Sequence, residues 1–228
     1  VAGLTKFQCL FFLPPFLLVL LFRNLKDLKR VLLGLLAAAG TVLAVFLPFM
    51  IGAKNPLLFF DVYLGSAGKY PYCSLNAYNL YSMLGLNWNH DVKDTDPILG
   101  GFLTWNHISA VLLLLSLALL IILYVVSYRR LGTKRLSGWV GGLLFMQCIF
   151  MLTTRMHERY QIVVLPFALM AWVVTQNKRF MGLFAALSGI TLINQFFILL
   201  SAIQSRQYKS KAFWLPANDA IDIIFSSI

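Results

Sequence analysis

The chain has 228 residues, of which 60% are hydrophobic and 12% are charged. A soluble globular domain carries about a quarter of its residues as charges, so this balance excludes that class. Residues 31–50, 108–127 and 181–203 are each uncharged runs of about 20 residues, long enough to cross a bilayer as a helix and without the alternation of a membrane barrel strand.

The sequence predicts an all-α, polytopic integral membrane protein. It would be a helical bundle of about six transmembrane helices, with an outer loop region holding short interfacial helices. Residues 1–228 read as a single transmembrane domain. The first span is 7–22, with Pro14 and Pro15 expected to break or kink it. A basic turn at 23–30 precedes the second span, 31–49. Residues 51–105 form an extracytoplasmic loop region, and within it 75–84 is expected to be an interfacial helix. Residues 108–127 return to the inside. Gly138–Leu152 and 162–174 are the fourth and fifth spans, and 181–203 is the sixth. Each of the two middle spans is short, so the connection between them is expected to lie below the membrane surface.

The net charge of +11 does not indicate nucleic acid. Arg23, Lys26, Lys29 and Arg30 form one cluster, Arg129, Arg130, Lys134 and Arg135 a second, and Lys178 and Arg179 a third. These fall in every second connection, as the positive-inside rule requires of cytoplasmic turns. Arg206, Lys209 and Lys211 oppose the scheme, because it leaves them outside. Seven of the eight acidic residues also fall outside, and only Asp27 is inside. Cys9, Cys73 and Cys148 imply no disulfide framework and no metal-ligand spacing. The chain begins at Val1 and turns apolar again at 220–228, and both ends are expected to continue in a longer protein.

The densest ionisable stretch is R-M-H-E-R-Y at 155–160. Arg155 and Arg159 suit phosphate oxygens, since a guanidinium is a bidentate donor charged at any accessible pH. His157 can donate to a phosphate or shuttle a proton, and Glu158 can pair with an arginine or act as a base. Tyr160 adds a phenol. Charges at membrane depth are costly, which favours a function for this turn over an internally neutralised Glu158–Arg155 or Glu158–Arg159 pair. A second segment, at 70–88, offers Asn76, Asn79 and Asn87 for hydroxyl-rich ligands. Tyr72, Tyr78, Tyr81 and Trp88 offer aromatic faces, although an interfacial aromatic belt has the same composition. Lys6 and Gln8, before the first span, could meet an anion, although a lysine snorkelling at a helix end explains Lys6 more simply. His90, Asp91, Asp94 and Asp96 lack the calcium-loop pattern and read as a solvated acidic loop. No metal or other cofactor is predicted, though that loop leaves a divalent cation possible. Gly138 and Gly142 form a G-x-x-x-G, a helix-packing motif.

Three strings occur in order: L-T-K-F-Q with L-P-P at 4–15, S-L-N-A-Y-N-L-Y-S-M-L-G-L-N-W at 74–88, and M-H-E-R-Y-Q-I-V-V-L-P at 156–166. Over nearly its whole length the chain resembles polytopic GT-C glycosyltransferases, in particular prokaryotic relatives of the GPI and dolichyl-phosphate-mannose mannosyltransferases. The resemblance implies a multi-pass protein of the prokaryotic cell membrane whose site faces outward. It implies inverting transfer of a sugar, mannosyltransferase-like, from a polyprenyl-phosphate-linked donor to a glycan, glycolipid or protein acceptor. In that family the catalytic acid lies in the first outer loop, which places it before Val1. Substrate contacts are implied for Asn76, Asn79, His157, Glu158, Arg159 and Tyr160, and for Lys6 and Gln8. A lipid-linked saccharide transporter is the alternative; Pro14 and Pro15 favour it, and the charge-free spans oppose it.

Overall fold

Apolar length sets the elements of this chain. The computed structural model describes residues 11–51, 55, 65, 70–89, 91–132 and 137–207. Lys6, Gln8, Cys9, His90, Lys134, Arg135 and the apolar tail at 220–228 lie outside the described residues. The helices are α1 (Leu13–Arg23), α2 (Leu28–Met50), α3 (Leu80–Met83), α4 (Trp105–Leu131), α5 (Gly138–Leu152), α6 (Val164–Thr175) and α7 (Lys178–Gln207). Four two-residue strands accompany them: β1 (Ser74–Leu75), β2 (Pro97–Ile98), β3 (Leu103–Thr104) and β4 (Met156–His157). By length and composition α2, α4 and residues Lys178–Ser201 of α7 are able to cross a membrane. At 1.5 Å per residue these run about 34–40 Å, against a hydrocarbon core of about 30 Å. By contrast, α1, α5 and α6 have 11, 15 and 12 residues.

The chain divides into two compact units, residues 1–70 with 121–138 and residues 71–120 with 139–228. In the first unit, Pro14 and Pro15 occupy the opening turn of α1. The first-turn N–H groups have no intrahelical partner, so two prolines cost little there. Residues 7–10 of the expected first span lie outside the described residues, and a 3-10 turn at 11–12 passes into α1 at the two prolines. Asp27 caps α2, its side chain accepting from the Arg30 N–H. Nearly all of the apolar surface of α2 is exposed within the chain, Phe46 being its one buried residue. Such a helix needs an apolar solvent around it.

The second unit holds the rest. Its helices α6 and α7 form a hairpin closed at Gln176, which adopts the left-handed conformation, and Asn177, which accepts from the Arg179 N–H. Preceding α6 without interruption is a 3-10 stretch, Glu158–Val163. At about 2.0 Å per 3-10 residue the two together reach about 30 Å. The fifth apolar segment therefore has a full membrane's length of helical chain, which the apolar run alone did not show.

The interfacial helix expected over 75–84 is reduced to the four residues of α3. Asn76 stands in the way, with a φ of 61° that no right-handed helix accommodates. Asn79 then starts the helix as its N-cap, accepting from the Ser82 N–H.

Candidate functional site

The two strings singled out in the sequence are joined by a backbone ladder. β1 pairs with β4 in parallel, Ser74 opposite Met156 and Leu75 opposite His157, and Asn76 forms a further bridge to His157. The segment 72–76 also bridges Lys93 through Tyr72 and Asn87 through Ser74. Asn76 N–H donates to Asn87 Oδ1 at 2.7 Å, and Trp88 N–H donates to the Ser74 carbonyl at 3.1 Å. Stretches from 71–76, 87–89, 91–94 and 154–157 thus make one small irregular β layer within the second unit.

Its anchor is a buried ion pair. Asp94 is 0% exposed and receives Arg155 in a two-point fork, Nε to Oδ2 at 2.6 Å and an Nη to Oδ1 at 3.1 Å. Thr154 Oγ1 donates to the same Oδ2 at 3.2 Å, and the Thr154 N–H donates to Ser109 Oγ at 3.1 Å. The Arg155 N–H donates to the Tyr72 carbonyl, and the Asp94 N–H to that of Pro71. A carboxylate taken out of water is tolerable only with this degree of pairing. This corrects two expectations. Asp94 does not belong to a solvated acidic loop, and the Arg155 guanidinium, expected to meet phosphate oxygens, is forked onto Asp94.

The S-L-N-A-Y-N-L-Y string terminates α5. The last carbonyls of a helix have no intrahelical donors. Asn79 Nδ2 lies 3.4 Å from the carbonyls of both Phe150 and Thr153, and Tyr81 Oη donates to the Leu152 carbonyl at 3.1 Å. Burial pushes the Tyr81 phenol up to about 12, offset in part by a hydrogen bond with Ser109, so it remains a neutral donor. Asn79 and Tyr81 are fully buried and Tyr78 is nearly so. These residues hold up the site and do not line it. Trp88 lies tilted against Tyr72, ring centroids 5.3 Å apart. Burial, together with the nearby Asp94 and Asp96 carboxylates, pushes the Cys73 thiol up to about 12, which leaves it un-ionised and unreactive at neutral pH.

What reaches the surface comes from the end of β4 and the 3-10 turn. His157 Nδ1 lies 3.9 Å from Glu158 Oε2, with both side chains 14% exposed. Tyr160 meets the His157 ring edge-on at 5.4 Å. Arg159 is exposed, its guanidinium carbon 5.8 Å from the centre of the Tyr160 ring. An imidazole beside a carboxylate can hold or pass a proton. Arg159 is a cation presented to solvent next to that pair. The structure therefore groups His157, Glu158, Arg159 and Tyr160, with Asn76 at the adjoining rung. Arg155, Asn79 and Tyr78 sit in the supporting layer behind them. Three of the four non-glycine residues with positive φ among the described residues are Asn76, Trp88 and Arg155. Backbone strain of this kind concentrates where a layout is fixed for function.

Sequence reading missed Asp94 as the partner of Arg155, and it missed Gln161. Gln161 is 3% exposed and its Nε2 donates to Gln147 Oε1 on α5 at 3.1 Å. The signal was available, because Gln147 is the one side-chain amide of its apolar helix. Among the described residues no group of three or more His, Cys, Asp or Glu could hold a metal ion. The chain matches no family model, no curated protein and no solved structure.

Proposed function

We propose that the protein is a multi-pass membrane glycosyltransferase of GT-C type, mannosyltransferase-like. It takes a sugar from a polyprenyl-phosphate carrier on the outer face of a prokaryotic cell membrane and gives it to a glycan, glycolipid or protein acceptor. The six apolar helices α1, α2, α4, α5, α6 and α7 then make six crossings. The observation that carries the reading is the ladder between β1 and β4. It brings the N-A-Y-N and M-H-E-R-Y strings, about 80 residues apart, onto one layer.

In this reading Arg159 holds the carrier phosphate, which gains charge as the sugar leaves it. His157 donates to a phosphate oxygen, and Glu158 fixes the imidazole's orientation. Tyr160 packs on both His157 and Arg159 and limits their rotamers. Arg155 acts behind them as a positioning residue. The acid that deprotonates the acceptor is assigned to none of the residues of this chain.

The test is sugar transfer by the full-length protein in membranes. His157→Ala and Arg159→Ala should each reduce turnover by a factor of about 100, in line with the loss of one charge-stabilising donor. Undiminished turnover in correctly folded variants would remove the assignment. A second reading, a lipid-linked saccharide transporter, draws on the half-buried Gln147–Gln161 contact between apolar segments. Saccharide crossing sealed vesicles with no new glycosidic bond would select it.

A further inference from the structure

The first unit gathers its charge at one end. Among its described residues are six cations, Arg23, Lys26, Lys29, Arg30, Arg129 and Arg130, and one acid, Asp27. All six cationic residues are exposed. Asp27 Oδ2 pairs with Arg30 Nε at 2.7 Å and neutralises one of them.

The positive-inside rule accounts for the sign and number of these charges. It asks nothing about where they stand relative to each other. Aromatic packing settles that. The Phe22 ring, at the end of α1, stacks on Tyr124 at 6.4 Å between centroids and lies tilted on Tyr128 at 5.4 Å. Arg23 follows Phe22 in the chain, and Arg129 and Arg130 follow Tyr128. The last turns of α1 and α4 are thereby held side by side, each bringing its arginines to the same level. Arg23 is close enough to the Tyr124 hydroxyl to act on it electrostatically. Tyr124 is itself fixed, nearly buried and donating to the Ser137 carbonyl at 2.7 Å.

The start of α2 joins them through the short turn 24–27. Lys29 and Arg30 stand in its first turn, where the helix dipole disfavours a cation. Three helix ends therefore converge with one sign of charge, an arrangement that repels itself unless an anion sits among them. The surroundings of the cations are apolar. Leu21, Leu25 and Leu28 are exposed beside them, and Leu32 on α2 and Val126 on α4 continue that surface along the helices. A ligand that fits has a negative head level with the cations and apolar chains that run along the leucines.

We propose that the α1–α2 turn and the last turn of α4 form a binding site for one anionic phospholipid, its phosphodiester held by Arg23, Lys26, Lys29, Arg129 and Arg130. Basic pockets between membrane helices hold acidic headgroups by the same chemistry. The site does not rest on the sugar-transfer reading.

The test reads binding without turnover. Full-length protein in a neutral detergent is titrated with dihexanoyl-phosphatidylglycerol, and in parallel with dihexanoyl-phosphatidylcholine, which has the same chains and no net charge. Both stay below their micelle-forming concentrations. A third titration uses inorganic phosphate. Phosphatidylglycerol should raise the thermal midpoint saturably, and the other two should not. Arg129→Gln/Arg130→Gln should raise the half-saturating concentration by about ten- to thirtyfold, the loss expected for two cations near a headgroup. Lys26→Gln/Lys29→Gln should do the same, and it keeps the site testable if the first pair fails to fold. Lys178→Gln/Arg179→Gln removes as much charge from an equally exposed pair in the second unit. It should leave half-saturation unchanged. Equal responses to the two lipids overturn the site, and so does a response to inorganic phosphate that matches phosphatidylglycerol. An equal loss in all three double variants also overturns it, because the attraction is then to net charge and not to one place.

Discussion

Single residues decide the site through burial. Asp94 and Arg155 lie 61 positions apart, and the pair can be removed in two ways with opposite consequences. Asp94→Asn leaves a guanidinium, 24% exposed, without its carboxylate. Breaking a buried pair costs about 3–5 kcal/mol, and the exposure of Arg155 puts this one at about 3 kcal/mol. Chemical denaturation of the detergent-solubilised protein should show that loss. Asp94→Leu combined with Arg155→Leu should recover a substantial part of it, and a double variant no more stable than the single one would remove the pair as an anchor. Nothing in the sequence marked Asp94 over Asp91 or Asp96, because pairing at that separation leaves no local pattern. Cys73 gives a pH test. Its thiol ionises at about 12 when folded and at 9.0 ordinarily. Between those values the folded state holds more protons than the unfolded one, so stability falls as pH rises from 9 towards 12. Cys73→Ala should flatten that alkaline limb in thermal melts; an unchanged slope would mean that the thiol titrates normally.

At the scale of elements, apolar patterning was legible and short polar structure was not. α5 occupies the bounds its apolar run suggested, Gly138–Leu152, because Thr153 and Thr154 follow immediately and Asn79 and Tyr81 arrive to take its final carbonyls. β1 and β4 are two residues each, too short to show any periodicity, and were invisible for that reason. The glycine pair on α5 was legible as a packing motif, and the structure gives it partners. A Cβ on Gly142 would stand 2.4 Å from the Phe167 ring, and one on Gly138 would stand 2.8 Å from that of Phe16. Phe167 is buried, so its ring has little room to give way. Gly142→Ala should therefore destabilise by about 1–3 kcal/mol. A double variant Gly142→Ala/Phe167→Leu should be less affected than the sum of the two single changes. Strict additivity in denaturation experiments would show that the two positions do not touch.

At the scale of the molecule, membrane crossing turns on lengths that the sequence displayed only in part. α2, α4 and α7 were readable as long uncharged runs. The 3-10 stretch before α6 was not, because Glu158 and Arg159 interrupt hydropathy without interrupting the helical path. With it the segment from Glu158 to Thr175 reaches about 30 Å, a full hydrocarbon thickness. His157, Glu158 and Arg159 can then stand at one interface while Lys178 and Arg179 stand at the other. In the six-span arrangement proposed above the charges need not lie at depth, and the uncharged amides Gln161 and Asn194 are the groups that would be submerged. Cysteine labelling separates the two sides. In the full-length protein with Cys9, Cys73 and Cys148 replaced by Ala, Arg159→Cys should react in intact cells with a membrane-impermeant maleimide. Lys178→Cys, equally exposed on the chain, should react only after the cells are opened. Labelling of both positions in intact cells would mean that α6 does not cross. Labelling of Lys178→Cys alone would reverse the orientation and, with it, the outward-facing site on which the sugar-transfer reading depends.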